Sequence, residues 1–161
     1  LGVTAGELSL MLMWFGAFGF LGNMVMSRHV DRIGADRAVL IGIGSMSVSL
    51  AIWPLGTSLP LAAVVAIPWA LGCFATNSAQ QARLVGIAPG LAAGSIALNS
   101  SAMYAGQAMG AAGGGWLIVN TGSMDTLHWV GFGTLLLAAA GSAWASRLQD
   151  ARARAAPAAP G

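Results

Sequence analysis

Apolar residues run along this chain in five long blocks, at about 8–27, 38–56, 60–79, 94–119 and 127–146. A helix needs roughly 20 such residues to cross a bilayer. The pattern therefore predicts an all-α membrane protein with five transmembrane helices forming one bundle over 1–146. The blocks are too long for barrel strands and lack their alternation, which argues against an outer-membrane barrel. The separators are a charged segment at 28–37, a tight turn at Gly56–Pro60, a polar segment at Gln80–Ala93 and a loop at Asn120–Thr126. Residues 147–161, rich in Arg, Ala and Pro, are expected to form a tail that is disordered beyond its first turn.

The sharpest contrast lies at Ser27–Arg37. This segment holds three of the seven basic residues (Arg28, Arg32, Arg37) and two of the five acids (Asp31, Asp36), while Leu8–Met26 and Ala38–Gly56 carry no formal charge. Lipid suits the flanks, and water suits the segment between them. The remaining arginines follow the same logic. Arg83 falls in the third separator and Arg147, Arg152 and Arg154 in the tail, whereas the alternate segments hold only Glu7 and Asp125. The positive-inside rule then predicts an N-terminus outside and a cytoplasmic C-terminus in a bacterial inner membrane. Trp53, Trp129 and Trp144 fall near span ends, as interfacial aromatics do. Trp14, Trp69 and Trp116 lie deeper and need partners for their indole N–H groups, from helix packing or a cavity.

Composition narrows the class. The chain is 57% hydrophobic and 7% charged, against roughly 25% charged residues in soluble domains. Its 23 glycines lack a three-residue period and sit among apolar residues, as in closely packed transmembrane helices. A net charge of +2 spread over separate arginines gives no basic groove for nucleic acid. Cys73 is the single cysteine, and neither His29 nor His128 has a second ligand at metal spacing. The two histidines are predicted on opposite membrane faces, and no phosphate-binding loop is present. No enzyme activity, metal or cofactor is therefore expected. Because the chain begins with Leu1 rather than Met, a piece of a longer protein is expected.

The charged segment, Gly22…Ser27-Arg28-His29-Val30-Asp31-Arg32-Ile33-Gly34-Ala35-Asp36-Arg37, resembles the loop signature of the major facilitator superfamily, G-x-x-x-D-R-x-G-R-R. Asp31, Arg32 and Gly34 match it, and Arg37 follows one place beyond its last arginine. Ser27 stands in place of a glycine and Asp36 in place of an arginine, as in the weaker second copy between helices eight and nine. The run A-L-N-S-S-A-M-Y-A-G-Q-A-M-G-A-A-G-G-G is similar to the eleventh helix of the proton-coupled drug and sugar efflux branch. The resemblance implies helices eight to twelve, most of the C-terminal six-helix half of a transporter. A register of helices two to six is the rival. There, G-Q-A-M-G-A-A-G-G-G would match a fifth-helix antiporter pattern with Ala111 in place of its proline.

The resemblance also implies roles. Asp31 would hold the cytoplasmic side closed, with Arg83 as its candidate partner, and Arg32, Gly34 and Arg37 would complete a gating loop. Independently of any family, helical spacing places Asn99, Met103, Gly106, Gly110 and Gly114 on one face of the fourth span. The three glycines are candidates for helix packing, and Asn99 and Gln107 for lining a cavity. No ionisable residue lies near the middle of any predicted span, so a coupling group would lie outside these residues. The expected function is part of a secondary transporter, a proton-coupled exporter of small organic molecules whose partners are substrate, protons, the bilayer and a missing N-terminal half. An importer of the same superfamily and a non-transporting helix-packing module are the alternatives.

Overall fold

In a computed structural model the described residues, 2–155, are helical apart from short connections. The helices are α1 (Ala5–Ile33), α2 (Ala35–Ala51), α3 (Leu59–Val65), α4 (Ile67–Ile87), α5 (Ala92–Thr121) and α6 (Leu127–Ala155). With α3 and α4 taken as one interrupted helix, five helical segments are present, and the chain is an all-α membrane protein. Three segments are long and apolar enough to cross a bilayer: Ala5–Ile33, Leu59–Ile87 and Leu127–Arg152. α2 is 17 residues long and continues into a 3-10 turn at Trp53–Leu55. α5 is 30 residues long but built largely of Gly, Ala and Ser.

Local chemistry sets the helix ends. Thr4 caps α1: its hydroxyl accepts from the Glu7 N–H, and the Glu7 carboxylate accepts from the Thr4 N–H at 2.7 Å. Helices run further than the apolar blocks. α1 continues to Ile33 and α2 starts at Ala35, so the charged segment is two helix ends joined at Gly34 rather than an open loop. Gly34 has φ 86° and ψ 137°, a conformation that a Cβ disfavours. Arg32 in the last turn of α1 and Asp36 in the first turn of α2 each oppose the local end of the helix dipole.

The expected tail is corrected in the same way. α6 continues through Ala155, because Arg, Leu, Gln and Ala sustain a helix without lipid around them. Residues 156–161 of the predicted disordered tail lie outside the described residues.

Packing centres on α4, which lies against α1 on one side and α2 on the other; α6 covers the far side of α2. Met26, Ala38, Val39, Ile43, Ala75 and Ala79 form the buried core, with Leu135 and Ala139 of α6 against it. Most are small, and the helices approach closely. A Cβ at Gly22 would collide with the Leu71 backbone, and one at Gly42 with Thr76 and the Gly72 carbonyl. Asn23 of α1 and Ser78 of α4 join as a side-chain pair across the first of these contacts.

The α3–α4 interruption also has a local cause. Pro68 lacks an N–H and sits in the first turn after the break. Carbonyls around the break are met from the neighbouring helices. Trp14 Nε1 donates to the Ala63 carbonyl at 3.1 Å, Ser49 Oγ to Val65 at 2.6 Å and Ser45 Oγ to Pro68 at 2.7 Å. The deep Trp14 thus has its helix-packing partner, whereas Trp116 is 66% exposed.

Candidate functional site

The helix ends at Arg83 and Asp36 form the most developed polar cluster among the described residues. Arg83, on the last turns of α4, is only 7% exposed, and its Nε lies 2.6 Å from Asp36 Oδ1 at the start of α2. That Nε–H is not aligned for a hydrogen bond, so charge rather than hydrogen-bond direction makes this contact. The other guanidinium nitrogens turn to α6. Nη1 donates to Ser142 Oγ at 3.1 Å, and Nη2 donates to Ser146 Oγ at 3.2 Å and to the Ser142 carbonyl at 3.5 Å. Ser146 Oγ closes the ring by reaching Asp36 Oδ1 at 3.0 Å.

One buried cation therefore ties together three helices. A guanidinium suits the task because its planar fork offers donors in several directions while staying charged. Asp36 is 46% exposed, so its carboxylate is reached by water as well as by Arg83. Beside it lies a cavity of about 380 Å³ bordered by Gly34, Asp36 and Arg37 on one side and Ala143, Ser146 and Asp150 on the other.

The expected partner of Arg83 changes accordingly. Arg83 pairs with Asp36, five residues beyond Asp31, because the turn at Gly34 brings the start of α2 over the end of α4. Asp31, Arg32 and Arg37 are exposed, and of the three Arg37 borders the cavity beside the cluster. Asp36, Ser142 and Ser146 were not singled out from sequence as site residues. The available signals were an acid in the first turn after a glycine and two serines one helical turn apart on α6.

The candidates on α5 are placed elsewhere. A Cβ at Gly106 or Gly110 would meet nothing within 4 Å, and one at Gly114 only the Leu127 side chain at 3.7 Å. Asn99 is half-buried and Gln107 exposed. α5 touches the end of α4 but carries no buried residue along its length. Gly106, Gly110 and Gln107 thus face open space, while Asn99 is half-buried and Gly114 lies near the first residue of α6.

Such a bundle, with three helical segments long and apolar enough to cross a bilayer and a polar clasp at one end, is that of an integral membrane protein. The chain is similar to an uncharacterized MFS-type transporter, YbcL, of Bacillus subtilis (strain 168), with 28% identity over 131 residues. The match covers 81% of this chain and 33% of the relative, so the chain spans about a third of that protein's length. No family model and no solved structure matches the chain.

Proposed function

We propose that this chain is part of a secondary transporter of the major facilitator type, a carrier rather than an enzyme, which exports small organic molecules in exchange for protons. The observation that carries the reading is the Arg83 clasp, which joins α2, α4 and α6 at one end of a helical bundle similar to a transporter. Alternating access needs a contact that holds one face closed and can be exchanged for another state. A partly exposed ion pair with hydroxyl partners meets that need, since water can replace its hydrogen bonds as the helices part. Asp36 and Arg83 form the centre of this gate, with Asp31, Arg32 and Arg37 at its rim and Gly34 as its turn.

In this reading the register is helices eight to twelve, the clasp faces the cytoplasm of a bacterial inner membrane, and Asp125 faces outward. The exposed face of α5, with Gly106, Gly110 and Gly114 and the amides of Asn99 and Gln107, is offered to helices of the remaining transporter and to substrate. That the relative is about three times as long as the matched segment supports such a partner. The same bare face supports the second reading, a helix-packing module with no transport of its own.

Inverted membrane vesicles carrying the full-length protein test the proposal. A panel of small aromatic and sugar substrates is offered with the vesicle interior made acidic, and accumulation is followed with and without a protonophore. Gradient-dependent accumulation that Asp36→Asn reduces supports proton-coupled export. Accumulation unaffected by the protonophore removes the proton coupling, and no accumulation of any compound favours the packing module.

A further inference from the structure

α1 and α2 are joined at Gly34, and each packs on α4 far more than on the other. An apolar groove of about 310 Å³ lies between them, walled by Val25 of α1 and Ile41 of α2 with Leu71 of α4. Gly22, Gly42 and Gly72 also line it, and because they carry no side chains the slot stays unfilled. Each wall belongs to an exposed stripe that ends in arginine. On α1, Leu21, Val25, Arg28 and Arg32 follow at steps of four, three and four, which puts them on one helix face. On α2, Arg37, Ile41, Gly44 and Val48 repeat those steps, and all eight residues are exposed.

α1 runs towards Gly34 and α2 away from it, so both arginine ends lie at the same end of the bundle. With a rise of about 1.5 Å per residue, Arg28 lies about 4.5 Å beyond Val25 and Arg37 about 6 Å beyond Ile41 along their helices. Among the described residues neither arginine forms an ion pair, and Asp36 is committed to Arg83. Of the charges flanking Gly34, three arginines therefore stand against Asp31.

We propose that this groove holds one acyl chain of an anionic phospholipid, whose phosphate is bound by Arg28 and Arg37. Being exposed and unpaired, both guanidinium groups are free to turn to a phosphate at the groove's end, and their planar forks match its oxygens. Arginine stems at a helix end cover apolar surface while the charge reaches the headgroup layer. Each such cation near the membrane surface favours an anionic lipid over a neutral one. Orientation by positive charge explains arginines at this face, but not their place at the end of both walls of an apolar slot. The site needs a bilayer and no transport, so its failure leaves the transporter reading untouched.

The test titrates dioleoyl phosphatidylglycerol and dioleoyl phosphatidylcholine into the full-length protein in neutral detergent, with bound lipids counted by native mass spectrometry. One phosphatidylglycerol should bind ahead of the rest, and Arg28→Gln with Arg37→Gln should weaken it about tenfold. Arg152→Gln with Arg154→Gln, which removes the same charge from the end of α6, should leave it unchanged. Val25→Trp keeps every charge but fills the groove, and should also weaken it; this variant decides the matter if the arginine pair is needed for insertion. Equal affinity for the two lipids overturns the proposal, as does an equal loss in the α6 variant, which would mean general attraction to the surface. An unchanged first affinity in Val25→Trp, as when another helix of the full-length protein fills the groove, overturns it as well.

Discussion

Gly22, Gly42 and Gly72 lie where α1 and α2 meet α4 backbone to backbone, whereas Gly106 and Gly110 of α5 look onto open space. At Gly22 and Gly42 an added Cβ would strike the backbone or side chains of α4; at Gly106 and Gly110 it would strike nothing. Both regions are small-residue rich, yet only one is packed. The difference lies in what accompanies the glycines. Gly22 is followed by Asn23, which pairs with Ser78, and Gly42 precedes Ser45 and Ser49, which donate into the broken helix. On α5, Ser100 and Ser101 turn back onto carbonyls of their own helix. A small-residue ridge permits close approach; polar groups that cross to a neighbour identify the helix that approaches.

Substitutions at equivalent glycines sharpen this contrast most strongly. Gly22→Leu should cost at least the roughly 1–3 kcal/mol of ordinary overpacking, because the obstacle is the Leu71 backbone. It should appear as a large loss of thermal stability in detergent. Gly110→Leu should disturb stability less, since its proposed partner lies outside α1–α4, and on the proposed transporter reading it should lower transport by the full-length protein. If Gly110→Leu destabilises as much as Gly22→Leu, α5 is as tightly packed as the core.

The two acids flanking Gly34 give the next effect. Asp36→Asn leaves the Arg83 guanidinium, only 7% exposed, without its countercharge. Breaking a fully buried pair costs about 3–5 kcal/mol, and the half-exposed Asp36 reduces the expected loss to about 1–3 kcal/mol. Asp31→Asn, on an exposed turn, should stay within about 0.5 kcal/mol. Thermal melts of the two variants side by side check the order. Equal losses would show that Asp31 has partners of its own.

Gly34→Ala should follow, at about 1–3 kcal/mol, because a Cβ at φ 86° and ψ 137° strains the link between α1 and α2. A melt unchanged by this substitution would mean that the link adopts another conformation. The smallest effect is expected at the helix break. Ser49→Ala removes the donor to the Val65 carbonyl and should cost about 1 kcal/mol. Faster hydrogen exchange at the amides of 65–70 in this variant would place the loss at the break; unchanged exchange would place it elsewhere.

The helical membrane class was legible from sequence because lipid solvation imposes long uncharged runs, which appear directly in the order of residues. Helix ends were less legible. Charge marks where water begins, not where a helix stops, so Arg28–Ile33 and Arg147–Ala155 remain helical in segments read as loop and tail. The candidate site was legible in part. A single sequence places Asp31 and Asp36 five residues apart in the same charged stretch, and choosing between them requires the turn at Gly34. Ser142 and Ser146 lie more than 100 positions from Asp36, and their hydroxyls are ordinary residues of a membrane helix until Arg83 reaches them.

A double-mutant cycle on Asp36→Asn and Arg83→Gln, read as thermal stability of the protein in detergent, tests the clasp most directly. Groups in direct contact couple by about 0.5–3 kcal/mol, whereas independent sites add to within a few tenths. If Asp36 and Arg83 hold α2, α4 and α6 together as one unit, the double variant should be little worse than the more damaging single one. Losses that add to within a few tenths of a kcal/mol would mean that the two residues act separately, which contradicts the clasp.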